Sequence, residues 1–96
     1  MQSTRNDSFS ATTSSAEALP ERAGRRLAFV ITPVTAGVTI FIGKGPVAVA
    51  TNTGIPVQVN QNYVESNSEG FQCWQGPIQI LGSGAGTVAI SETLRD

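Results

Sequence analysis

The chain has 96 residues, a formal net charge of −1, one cysteine and no histidine. That length allows one domain at most, and that charge gives no global attraction to nucleic acid or to an anionic membrane surface. Cys73 is alone, which excludes a disulfide within the chain, and with no histidine beside it a tetrahedral zinc site cannot be completed.

The opening 26 residues, MQSTRNDSFSATTSSAEALPERAGRR, hold only three large apolar side chains, Met1, Phe9 and Leu19. Ser, Thr and Ala without periodicity bury too little apolar surface to offset chain entropy, so residues 1–26 are expected to be an extended, irregular arm. No apolar stretch follows Met1, so no signal peptide is expected, and the Asn6-Asp7-Ser8 sequon matters only in a secreted eukaryotic protein. Fully extended, such an arm reaches on the order of 85 Å. It can lie across a neighbouring subunit and add backbone hydrogen bonds to an exposed sheet edge. Phe9 and Leu19 are then its apolar anchors, and Arg5, Arg22, Arg25 and Arg26 its contacts to acidic side chains or phosphate. The plainer alternative is a tail, with ERAGRR a solubilising hinge.

Residues 27–96 form the expected β body. RRLAFVITP places Leu27, Phe29 and Ile31 on one face and Arg26, Ala28 and Val30 on the other. GVTIFIGKG turns Val38, Ile40 and Ile42 inward, with Thr39 and Phe41 opposite. PVAVA, IPVQVN, NYVE, GFQCWQ, GPIQILG and GTVAISETL continue the pattern, each rich in Val, Ile, Thr or aromatics and each bounded by Gly, Pro or Asn. This rhythm predicts a small antiparallel β-sandwich or barrel of about seven or eight short strands. Its longest apolar run, Leu27 to Ile31, is far short of the roughly 20 residues that cross a bilayer as a helix.

Charge is distributed unevenly. Residues 27–91 carry only Lys44, Glu65 and Glu69. A free domain has about a quarter of its residues charged, so this body either buries surface against other subunits or is covered by Ser, Thr, Asn and Gln. A domain of about 70 residues is also marginal by itself, and subunit contacts are the remaining way to stabilise it.

Chemistry is sparse. The usual base at neutral pH is missing with histidine. Glu65 and Glu69 fall in a turn-like ESNSEG, read as a solvated loop, with a calcium site or acid pair as the alternative. Cys73 in FQCWQ is read as a small buried hydrophobe on the face of Phe71, and no neighbouring cation marks a reactive thiolate. Trp74 then points the other way, beside Tyr63, either as an exposed aromatic pair for a subunit interface or a sugar platform, or packed in the sheet core. GKGP at 43–46 lacks phosphate-loop spacing and reads as a hairpin turn; GSGAG at 82–86 precedes a strand and reads as a hairpin tip. No catalytic residue, metal site or cofactor is expected.

GPIQILGSGAGTVAISETL resembles the closing hairpin of small β-structured virion proteins of tailed bacteriophages. RRLAFVIT followed by FIGKGPVAVATNTGIPV is similar in order to the start of such proteins, so the resemblance covers residues 25–94. It implies a non-enzymatic capsid cement (decoration) protein that bridges subunits of the major capsid protein. It further implies a homotrimer on the virion surface, made in the host cytoplasm and independent of nucleic acid and membrane. The alternatives are a neck, tail or fibre-base component, and a carbohydrate-binding module that stacks sugars on Trp74 and Tyr63.

Overall fold

The alternating β-branched runs become strands in the computed structural model, which describes residues 2–95. In chain order these are β1 (Gln2–Ala11), β2 (Ala16–Leu19), β3 (Arg26–Pro33), β4 (Ile40–Lys44), β5 (Ile55–Val57), β6 (Tyr63–Ser66), β7 (Ile78–Gly82) and β8 (Gly86–Arg95). They form two four-stranded antiparallel sheets, ordered β1-β8-β3-β6 and β2-β7-β4-β5. The fold is the expected small all-β sandwich. Phe29, Ile31, Val88 and Ile90 from the first sheet meet Ile40, Ile42, Ile78 and Ile80 from the second, and all are buried.

The opening segment is extended, but it is regular rather than irregular. β1 pairs with β8 without a break from Gln2↔Arg95 to Ala11↔Gly86, and β2 pairs with β7. The physical reason is the length of β8. Its ten residues present a ladder on both sides, and a polar strand can fill one of them through backbone bonds alone. Composition undervalues such a strand because it counts only side-chain burial.

Three local readings also change. GSGAG is not a hairpin tip, because β7 and β8 lie in different sheets and residues 82–86 carry the chain between them. GKGP is not a tight hairpin turn but the start of the long loop that joins β4 to its antiparallel neighbour β5. β4 ends at Lys44, and residues 45–54 then leave the sheet as a loop containing the expected PVAVA strand. This loop folds over the outer face of the second sheet. Val49 N–H donates to Ser15 Oγ at 3.0 Å, and the Val49 side chain sits so close that a Cβ on Gly43 or Gly54 would meet it at 2.8 or 2.7 Å. Finally, FQCWQ is not a strand, because its amides are claimed by side chains. Cys73 N–H donates to Asn67 Oδ1 at 2.8 Å and Trp74 N–H to Glu65 Oε1 at 2.9 Å.

The two outer faces therefore differ. The loop covers that of the second sheet. On the first, the residues between the inward-facing positions are Thr4, Asn6 and Ser8 of β1, Ala28, Val30 and Thr32 of β3, and Ala89, Ser91 and Thr93 of β8, all uncharged.

Candidate assembly interface

The arginines expected at a partner surface are largely turned into the molecule. A β-bulge between Arg26 and Ala28 makes Arg26, not Leu27, the inward residue, and its side chain is 0% exposed. Arg26 Nε donates to Glu92 Oε2 at 2.8 Å. Its remaining nitrogens donate to the carbonyls of Trp74 (2.9 Å), Gly76 (3.0 Å) and Pro20 (2.7 Å), and the guanidinium lies 5.5 Å from the Phe29 ring centre. Arg22 clasps the same carboxylate from its other side, Nε to Oε2 at 3.0 Å and Nη2 to Oε1 at 2.7 Å. Burial pushes the Glu92 carboxyl up, but the hydrogen bonds and charges of Arg22 and Arg26 outweigh it and leave the pKa below the ordinary carboxylate value. The bond to Glu92 in turn raises Arg22. Arg25 is exposed and donates to the Arg95 carbonyl at 3.1 Å. The arginine run thus fastens the β2–β3 connection to β8. Leu19 is buried in the core, and Phe9 packs against the core's edge. In this conformation neither Leu19 nor Arg26 can reach a partner, and sequence reading overlooked Glu92, the acid that explains the arginines.

Tyr63 and Trp74 do come together, around Glu65, but as half-buried parts of the body rather than as an exposed platform. Lys44 Nζ donates to Glu65 Oε2 at 2.9 Å, the Tyr63 hydroxyl donates to the same oxygen, and Trp74 N–H takes Oε1. The Trp74 indole N–H donates to the Pro77 carbonyl at 3.0 Å, and Tyr63 lies 5.9 Å from Phe29 between ring centres. Burial pushes the Glu65 carboxyl up, but its three donors outweigh this and its pKa falls below the ordinary value. Burial, reinforced by Glu65, raises the Tyr63 phenol, and the hydrogen bond to Glu65 raises Lys44. Glu65 is therefore a structural ion-pair partner, not a solvated loop residue. Glu69 is exposed beyond it, and among the described residues no group of three His, Cys, Asp or Glu side chains is arranged to hold a metal. Cys73 is 1% exposed, its thiol donates to the Arg26 carbonyl at 3.3 Å, and burial pushes its pKa up. Phe71, expected on the same face, is exposed.

With these side chains committed internally, attention passes to the sheet edges. An open edge is a row of unpaired amides, which folded proteins blunt by shortness, proline, lysine, bulges or cover. Three of the four edges are blunted. β6 has four residues; β5 has three, one of them Pro56; β2 has four, a bulge between Glu17 and Leu19, and Pro20 directly after it. β1 has ten residues, no proline, no bulge and no cover; its one protecting feature is the inward-facing charged pair Arg5 and Asp7.

The direction of its free groups follows from β8. Val34 N–H bonds the Thr87 carbonyl at 3.0 Å, which turns Thr87 toward the β3 side. By alternation Val88, Ile90, Glu92 and Leu94 turn toward β1, where their partners are Phe9, Asp7, Arg5 and Ser3. The even residues Thr4, Asn6, Ser8 and Ser10 consequently present N–H and C=O to the open edge. Ser8 agrees: its N–H is taken by Asp7 Oδ1 at 2.9 Å. Arg5 and Asp7 stand on the same side of the strand, exposed and joined at 3.3 Å, above a cleft of about 100 Å³ between β1 and β2. Of the residues expected to meet a partner, Arg5 and Phe9 lie on this strand, Arg5 exposed and Phe9 packed against the core. Asn6 and Asp7 were legible in the sequence only as part of a sequon, because their place on an edge acquires meaning only once residues 2–11 are known to be a strand.

No family model and no curated protein sequence matches this chain. Among solved structures, a chain of the Bacillus endospore appendages, described as a novel family of disulfide-linked pili, has a similar fold. The TM-score is 0.64 at 18% identity, over 98% of this chain and 84% of that one. That likeness shows the fold.

Proposed function

We propose that this chain is a non-enzymatic structural subunit that joins an ordered assembly through the edge of β1. The observation that carries this reading is the contrast between one edge that is long and unbroken and three that are short or interrupted. Two further features support it. Glu65 and Glu92, the buried carboxylates that acid–base chemistry would need, are held in ion pairs, and the only thiol is buried with a raised pKa. The same fold also serves in a pilus. The disulfide linkage named for that pilus does not carry over, since Cys73 is enclosed and has no second cysteine in this chain.

The resemblance over residues 25–94 favours one specific form, a cement protein on a phage head whose partner is the major capsid protein. In that form the edge of β1, rather than a free arm, is the strand offered to the shell, and many weak contacts act together. Mixing the purified chain with capsids that lack it, and counting copies bound per shell, tests this. A number near that of the shell subunit supports cement, and a few copies at one vertex supports a neck or tail position. Absence of binding, together with absence of any ordered self-assembly by electron microscopy, overturns the structural reading.

A further inference from the structure

We propose that β1 pairs with β1 of a second copy, antiparallel about a two-fold axis through Asn6, so that two four-stranded sheets become one of eight strands. This rests on the structural-subunit reading and takes a second copy, in place of a strand of the shell, as the occupant of that edge, with the register. The amides that face the open edge belong to Thr4, Asn6, Ser8 and Ser10. An antiparallel self-pairing must set edge-facing residues opposite edge-facing residues, which restricts the axis to a residue centre. With the axis at Asn6, Asn6 meets Asn6 of the second copy, Thr4 meets Ser8, and Gln2 meets Ser10. Thr4 against Ser8 is a hydroxyl pair of the kind that sheets favour, and the other two are polar and uncharged.

Charge selects this register over its neighbours. Arg5 and Asp7 occupy the non-hydrogen-bonded positions of the new pairing, where side chains approach most closely. An axis at Asn6 sets Arg5 against Asp7 of the second copy and Asp7 against its Arg5. Because Arg5 and Asp7 already pair within one chain at 3.3 Å, the four groups close into a ring of alternating sign. Moving the axis by one residue sets Arg5 against Arg5 or Asp7 against Asp7, and like charges directly opposite oppose pairing. The outer face of the extended sheet stays uncharged across the junction, since Thr4, Asn6 and Ser8 adjoin Thr93, Ser91 and Ala89. Ser8 N–H exchanges its bond to Asp7 for a carbonyl of the second strand, which frees that carboxylate for arginine.

Sedimentation of the purified chain, with variants at exposed positions of β1, is the test. The wild type is expected to show a concentration-dependent dimer. Arg5→Asp and Asp7→Arg, each alone, are expected to raise the dissociation constant at least about tenfold. The double exchange Arg5→Asp with Asp7→Arg restores it, and equal mixtures of the two single variants form the heterodimer. Asn6→Pro removes an edge-facing N–H but no bond to β8, so it should abolish the dimer while leaving the unfolding temperature within a few degrees. Register is read by Asn6→Cys, which should cross-link under mild oxidant because opposed residues lie within disulfide reach, whereas Thr4→Cys should not. A monomer at all concentrations, a trimer, or single charge reversals without effect overturns the proposal. A monomer that still coats capsids overturns the self-pairing and leaves the structural reading standing.

Discussion

Arg26→Met separates a structural arginine from a partner-binding one. If the side chain served a partner, its loss would spare folding and abolish binding. The structure places it at 0% exposure with four acceptors: one carboxylate oxygen and the carbonyls of residues 20, 74 and 76. Methionine fills a similar volume but donates nothing. Glu92 keeps Arg22, which is 14% exposed, but loses its deeper partner. Three carbonyls lose their donor as well. Removing one member of a buried ion pair costs about 3–5 kcal/mol, and the abandoned carbonyls place this variant at the upper end. A domain of this size has about 5–15 kcal/mol in total, and each kcal/mol moves its unfolding temperature by about 4–8 °C. A fall of roughly 20 °C or more is therefore expected in a thermal melt followed by far-ultraviolet circular dichroism, with a matching fall in the urea midpoint. Glu92→Gln, introduced into the Arg26→Met background, should cost much less than it does in the wild type, because one interaction is being removed twice. A loss below about 1 kcal/mol for Arg26→Met, or full additivity of the pair, would refute this account.

Acid lability follows from Glu65 and Glu92, whose pKa values lie below their unfolded values. Their contribution is complete above about pH 4.5 and is lost as pH falls from there through the folded values. Urea midpoints should be flat from about pH 5 to 8 and drop below, and Glu65→Gln should flatten part of that drop. The Cys73 thiol, buried with a raised pKa, should resist an aromatic disulfide reagent in buffer and react fully in urea; rapid labelling of the native chain would contradict its placement. Gly43→Ala drives a Cβ to 2.8 Å from Val49 and should cost about 1–3 kcal/mol. Val49→Ala in the same chain should recover part of that cost if the loop over the second sheet is the element displaced.

Period-two alternation was enough to read β3, β4, β7 and β8, because Phe29, Ile31, Ile40, Ile42, Val88 and Ile90 each direct a large apolar group to a common interior. It failed wherever the backbone is satisfied by something other than a β-branched neighbour. PVAVA has strand composition, but Val49 is used to cover a sheet from outside. In FQCWQ the carboxylate of Glu65 and the side-chain amide of Asn67, just upstream across a turn, take the backbone donors. The arginines misled in a different way. A basic run beside an arm suggests an external partner until the bulge at residues 26–28 turns Arg26 inward onto Glu92, and a bulge has no signature at this position. Of β1, Arg5 and Phe9 were legible as residues and the strand that holds them was not.

The composition that made residues 2–11 look unable to fold is also what fits them to a role between subunits. β1 directs only Phe9 and Ala11 toward the core, so its attachment depends mostly on one backbone ladder to β8. A strand held in that way gains little from hydrophobic burial. Its polar residues keep the outer amides of the open edge hydrated, with the Ser8 N–H held by Asp7. A second ladder on the open side satisfies those amides and converts an edge strand into a central one, without needing any apolar side chain to be exposed beforehand. An apolar edge would bind more tightly and less selectively, since flat hydrophobic edges pair with almost any strand. Small hydroxyl and amide side chains, with one arginine and one aspartate spaced two apart, yield weak attraction in most registers and repulsion in the nearest wrong ones. In the proposed pairing, specificity comes from what the strand refuses.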